Sequence, residues 1–276
     1  MNNKTDDNIR FLPLSAALLL LMAGWGITLL LSLPVNALFS PKSYTMLAIS
    51  LIFLELIFLV PALVYLRKKR PDLSVFKTFR LTKIEAKAWP GIIVFTGGVI
   101  ILSDAADRIL GKWIIIPEEY LIMMQNFKWS SSSEAVLMIF AATVIASIAE
   151  ECIFRGMLLQ AMESALKKPL AAILFSAFFF AMIHSLPWYF IQIFVLGVLL
   201  GGLSHLFHSA LPGIFLHSMY NLFSLILLNI NAEPSWYIIR GHVRNGWILT
   251  AGLLAIAGYY LSSPYFSFLK NENDKD

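Results

Sequence analysis

Long apolar stretches, broken by short polar interruptions, set the pattern of this chain. Phe11–Leu33 and Tyr44–Leu66 each exceed the roughly 20 residues that a helix needs to cross a bilayer. Ala88–Ser103 is shorter and carries Pro90 and Gly91 near its start. Glu134 to about Ala165 is long but holds charges in its middle. From Pro169 to Ala232 no Lys, Arg, Asp or Glu occurs for 64 residues; Ser185–Pro187 and Ala210–Gly213 divide this block into Pro169–Ile183, Pro187–His208 and Gly213–Ile230. Gly246–Ser262 closes the set. The pattern predicts an all-α, polytopic bundle of about eight transmembrane helices, arranged as one integral membrane domain over residues 1–276. Trp113–Phe127, split by Pro117-Glu118-Glu119, reads equally as an interfacial or re-entrant segment and as a buried cap over the bundle. Ser131-x-x-Glu134 is a capping-box signature for the fourth helix.

Composition agrees with this pattern. Of 276 residues, 58% are hydrophobic and 14% charged, against about a quarter charged in a soluble domain. A single cysteine, Cys152, excludes a disulfide-stapled module. Val35-Asn36-Ala37 resembles a cleavage site, but the apolar run before it has 23 residues against about 7–15 in a signal core, so a retained anchor is expected.

Basic residues orient the bundle. The loop after the second span carries eight of the 21 Lys and Arg, from Arg67 to Lys87. With that loop cytoplasmic, eight spans place both termini inside. Lys4, Arg10, Lys167, Lys168, Lys270 and Lys275 then join the inner side, while Lys42, Arg108, Lys112, Lys128, Arg240 and Arg244 fall outside. The net charge of +4 is mostly this loop, which is suited to anionic headgroups and needs no nucleic-acid partner.

Ionisable side chains within a span are costly, roughly 2.5–3.5 kcal/mol at the centre, and mark function. The fourth stretch holds Glu150, Glu151 and Arg155 within six positions. Glu151 and Arg155, four apart with the acid first, share a face and are able to pair. Glu150 lies about 100° away around the helix and has no such partner, which suggests a structural Glu151 and a chemical Glu150. Alternatively, the cluster snorkels to the cytoplasmic interface, as Glu163, Lys167 and Lys168 are expected to do. Phe180 precedes His184 by one turn, and His217 precedes Asn221 by one turn. Alone, His184 reads as a structural histidine at a helix end, and His217 with Asn221 as interhelical glue. With a carboxylate nearby, the same groups can activate water and stabilise an oxyanion. His205 and His208 read as interfacial, and His242 and Cys152 as bystanders. Glu55 stands alone in the second span without an evident partner.

Glu150-Glu151-x-x-x-Arg155, Phe180-x-x-x-His184 and His217-x-x-x-Asn221, in that order on successive spans, resemble the signature of the CPBP (Abi) family. That family contains CAAX prenyl endopeptidases and bacteriocin-processing or bacteriocin-immunity proteins. The resemblance covers about residues 134–230. It implies an intramembrane endopeptidase in which Glu150 and His184 activate water and His217 and Asn221 form the oxyanion hole. Glu151 and Arg155 would be the supporting ion pair, and Phe180 would pack beside the site. It also implies a membrane-attached protein or peptide substrate; in a bacterium the location would be the inner membrane. No cofactor is certain. Zinc is possible on Glu150, His184 and His217, although His-Glu-x-x-His is absent, and the metal-free route ranks slightly higher. A non-catalytic immunity or partner-regulating protein is the alternative. A proton-relaying transporter is less supported, because no inverted repeat is visible.

Overall fold

The computed structural model describes residues 11–38, 44–125, 127–230 and 234–266. Lys4, Arg10, Lys42 and the tail Lys270–Asp276 lie outside the described residues.

Eight apolar helices make up an all-α membrane bundle: α1 Leu14–Leu38, α2 Tyr44–Lys69, α3 Trp89–Leu110, α4 Ser132–Leu166, α5 Pro169–Ile183, α6 Phe190–Phe207, α7 Leu211–Asn229 and α8 Asn245–Ser262. Seven are long and apolar enough to span; α5 has 15 residues. At 1.5 Å per residue, α5 rises roughly 22 Å, short of the ~30 Å hydrocarbon core. Its chain turns at Ser185, whose φ is +55°, ahead of Pro187. The turn leaves His184 at the tip of a short rod.

α3 is longer than its apolar stretch, running to Leu110 rather than Ser103. Arg108 Nε donates to Asp104 at 3.1 Å, one turn away. Tyr237 Oη donates to Asp104 at 2.8 Å, and Tyr220 Oη to Asp107 at 3.1 Å. With its carboxylates satisfied, the helix continues past the point where hydropathy alone ends it. Beyond it, Glu118–Gln125 forms a short helix with no buried residue. Tyr120 packs edge-on against Trp188 at 5.1 Å, over the α5–α6 turn, and burial pushes its hydroxyl up to about 12.

Sequence patterning did not predict the antiparallel hairpin in which Ile238 pairs with Val243. Arg240 and Gly241, both at positive φ, make its two-residue turn. His242 contacts Lys112 there.

The two largest of four apolar clusters among the described residues hold most of the bundle. Leu21, Phe58, Phe154, Leu158 and Phe180 join α1, α2, α4 and α5. Ile92, Val99, Leu200 and Leu216 join α3, α6 and α7. α3 and α8 approach so closely that a Cβ on Gly258 would lie 2.2 Å from the Phe95 backbone nitrogen. Small residues permit such contacts between membrane helices, where dispersion replaces the hydrophobic effect as the driving force.

α4 is one rod of 35 residues, but its winding changes. Phe140–Ile145 and Cys152–Leu158 are π-helical and flank an α-helical Ala146–Glu151. Such wide turns are rare and frequent at functional sites. Its last turns overhang the α6–α7 connection. There Ser209 Oγ donates to Thr82 O at 2.6 Å, and the Ala210 amide to Arg80 O at 2.8 Å. Ser209 and Ala210 are fully buried. The α6–α7 turn therefore lies inside the protein, and Gly213, in the first turn of α7, sits against Glu151 rather than against the end of α4. This placement brings His217, only seven residues beyond Ala210, level with Glu150. Neither a strong tilt nor an early end to the fourth span is required.

Candidate active site

The charged cluster of α4 points into the protein. Glu151 and Arg155 are both 0% exposed, so the snorkelling alternative fails. Arg155 Nη1 donates to Glu151 Oε1 at 2.8 Å, and Nη2 to the Gly197 carbonyl at 3.2 Å. Its guanidinium lies 4.2 Å from the centre of the Phe180 ring, a stacked cation–π geometry. Phe180 in turn stands edge-on to His184 at 4.7 Å and to His217 at 5.8 Å.

Glu150, His184 and His217 come together. Glu150 Oε2 lies 3.9 Å from His184 Nε2 and 3.9 Å from His217 Nε2. Local bonds orient both rings. His184 Nδ1 is 2.6 Å from the Phe180 carbonyl oxygen, and His217 Nδ1 is 3.1 Å from Glu151 Oε1. A carbonyl and a carboxylate only accept, so each imidazole carries its hydrogen on Nδ1. The Nε2 of each ring then faces Glu150. Polar atoms separated by slightly more than a hydrogen bond suit a bridging water.

Asn221 does not join this group. Its Nδ2 donates to the Ala142 carbonyl at 2.9 Å and lies 3.5 Å from Ser147 Oγ. Ala142 belongs to the first π-helical stretch, so the amide ties α7 to α4 as interhelical glue. His205, His208 and Glu163 are also used locally. Glu163 ion-pairs with Arg80 at 3.1 Å and accepts from His205 at 2.7 Å, rather than snorkelling. Arg80 Nη2 donates to His208 Nδ1 at 3.0 Å. Burial lowers the pKa of the Arg80 guanidinium; burial and adjacent Arg80 lower that of His208. Cys152 is buried and free.

A cavity of about 240 Å³ opens beside Glu150 and His184. α1 and α2 supply most of its wall, including Trp25, Thr28, Glu55 and Phe58. Trp25 Nε1 donates to the Ile183 carbonyl at 3.2 Å, fixing α1 against the end of α5. The only sequence signal for this wall is the isolated acid Glu55; the apolar residues of α1 carry none.

As placed, Glu150, His184 and His217 are set wider apart than zinc ligands. Ligands at about 2.0–2.1 Å on a tetrahedral zinc stand roughly 3.3 Å apart, less than the 3.9 Å on either side of Glu150. Among the described residues, no group of three or more His, Cys, Asp or Glu is placed to hold a metal ion.

Residues 132–223 match the family model for type II CAAX prenyl endopeptidase Rce1-like proteins. This is the family that the three motifs resemble, and the match contains all of them. Over that third of its length the chain is similar to CAAX protease-like proteins. No curated protein and no solved structure matches it.

The supporting pair is tightly seated. A Cβ on Gly213 would lie 2.9 Å from Glu151 Oε2, whereas one on Gly202 would meet nothing within 4 Å. Gly213→Ala is therefore expected to destabilise the protein by about 1–3 kcal/mol, the usual range for overpacking, and to displace Glu151 from His217. Gly202→Ala should be neutral or slightly stabilising. Thermal unfolding of both variants in detergent, alongside cleavage assays, checks the contrast; equal behaviour would refute it.

Proposed function

We propose that this protein is an intramembrane endopeptidase that hydrolyses a peptide bond in a membrane-associated protein or peptide by a metal-free mechanism. The observation that carries the reading is the approach of two imidazole Nε2 atoms to the carboxylate of Glu150 at 3.9 Å each, within an apolar bundle.

Water held between Glu150 Oε2 and His184 Nε2 is polarised as its oxygen attacks the scissile carbonyl carbon. Its proton passes to Glu150, and the carbonyl oxygen becomes an oxyanion. His217, oriented by Glu151 Oε1 at Nδ1, serves that oxyanion through Nε2 when that nitrogen also carries a hydrogen. Collapse of the intermediate breaks the C–N bond, and the departing amine takes the proton back from Glu150. Preorganised donors of this kind typically contribute 10²–10³ in rate. Both termini are placed on the cytoplasmic side, with the basic loop against anionic lipid.

The test is cleavage of membrane-anchored peptides by purified protein in liposomes, with products identified by mass. Turnover by the wild-type protein and its loss in His184→Ala, with the fold retained, support the reading. Full turnover in that variant would overturn it. Chelator treatment is expected to leave the rate unchanged, and metal analysis to find less than one zinc per ten chains. Stoichiometric zinc whose removal abolishes turnover would reject the metal-free mechanism.

A further inference from the structure

Glu55 is the one acidic residue of α2. It lies outside the segment matched by the family and outside the three motifs. It shares the cavity wall with Glu150 and interacts electrostatically with it. Its Oε2 is shielded from solvent and has no hydrogen-bond partner. No lysine or arginine lines the cavity, and the guanidinium of Arg155 is turned away onto Glu151, Gly197 and Phe180. The cavity thus presents two carboxyl groups and one imidazole among Trp25, Phe58 and Ile183. A buried carboxyl oxygen without a partner calls for a donor, and no lysine or arginine among the described lining residues supplies one.

We propose that Glu55 is a specificity-determining residue that selects substrates with a basic side chain close to the scissile bond. A lysine or arginine entering beside Glu150 would satisfy the unpartnered oxygen of Glu55 and separate the two acids electrostatically. Its alkyl stem would lie along Trp25 and Phe58. A substrate ending in a free carboxylate at this point would bring a further acid beside Glu55 and Glu150 and be disfavoured. The inference rests on the peptidase reading for the position of the substrate, and it gives that site a substrate class.

The experiment uses the full chain in liposomes and an apolar membrane-anchored peptide in which Lys, Gln or Glu is walked through each position. Cleavage rates are read by mass, and binding of the same peptides to Glu150→Gln protein is read by fluorescence anisotropy. At one or two positions, Lys should exceed Gln by at least tenfold in kcat/KM, mostly through KM, and Glu should fall below Gln. In Glu55→Gln that ratio should collapse to less than threefold; in Glu55→Asp it should be partly kept. The ratio is independent of how much basal activity each variant retains. Cleavage without a Lys preference, or a preference that survives Glu55→Gln, overturns the proposal and leaves the peptidase reading intact. No cleavage, combined with Lys-selective binding that is abolished in the Glu55→Gln/Glu150→Gln protein, overturns the peptidase reading instead. Equal binding of Lys and Gln peptides counts against Glu55 in either case.

Discussion

Glu150→Gln should lower kcat by about 10²–10⁴-fold, the range for losing a positioned general base, while KM changes little. Glutamine keeps the shape and the hydrogen-bonding reach of the side chain but cannot accept the proton of the attacking water. Glu150 has no strong structural bond to lose: the two imidazole Nε2 atoms stand 3.9 Å away, and its Oε2 lacks a hydrogen-bond partner. The variant should therefore unfold at the wild-type temperature. Steady-state kinetics on the cleaved peptide, with thermal unfolding beside them, give both readings. A variant that cleaves within tenfold of wild type removes Glu150 from the reaction and returns the polar cluster to a recognition role. Loss of activity together with loss of fold would instead make Glu150 a structural residue.

The largest effect on stability belongs to Arg155. Arg155→Met leaves the Glu151 carboxylate fully buried and facing only the imidazole of His217. Removing one partner of a buried ion pair typically costs about 3–5 kcal/mol, because the remaining charge is uncompensated. The stacking on Phe180 and the tie to the Gly197 carbonyl are lost with it. The double variant Glu151→Gln/Arg155→Met should recover a substantial part of that loss, since neither member then carries an unpaired charge. It should still lack activity, because His217 loses the carboxylate that orients it. Chemical unfolding in micelles measures the cycle. Equal stability of the single variant and the wild type would show that the pair carries no structural weight.

Some of this was legible in the chain. Hydropathy located all eight helices, because a lipid-facing rod must be apolar over a length fixed by bilayer thickness. The spacing of Glu151 and Arg155 gave their pairing, because residues four apart on a helix are neighbours whatever surrounds them. Other features were out of reach. The extension of α3 to Leu110 depends on Tyr220 and Tyr237, which are distant in sequence. The fate of Glu163 depends on Arg80, which folds back from the basic loop. Asn221 shares a helix face with His217, yet its amide is engaged by a carbonyl in the π-helical part of α4. Periodicity gives no sign of that irregular winding.

The sequence by itself determined a membrane bundle of helices, the pairing of Glu151 with Arg155 on the fourth of them, and three motifs that resemble those of a known family. Only the tertiary structure decided that the tip of the short α5 and the buried turn before α7 bring His184 and His217 to Glu150. It also decided that Glu55, from a helix outside the matched segment, shares their cavity. The physical reason is the range of the forces involved. Helix formation and partition into lipid follow from local composition, whereas the relative height and rotation of two rods depend on where small residues, turns and buried polar bonds let them meet.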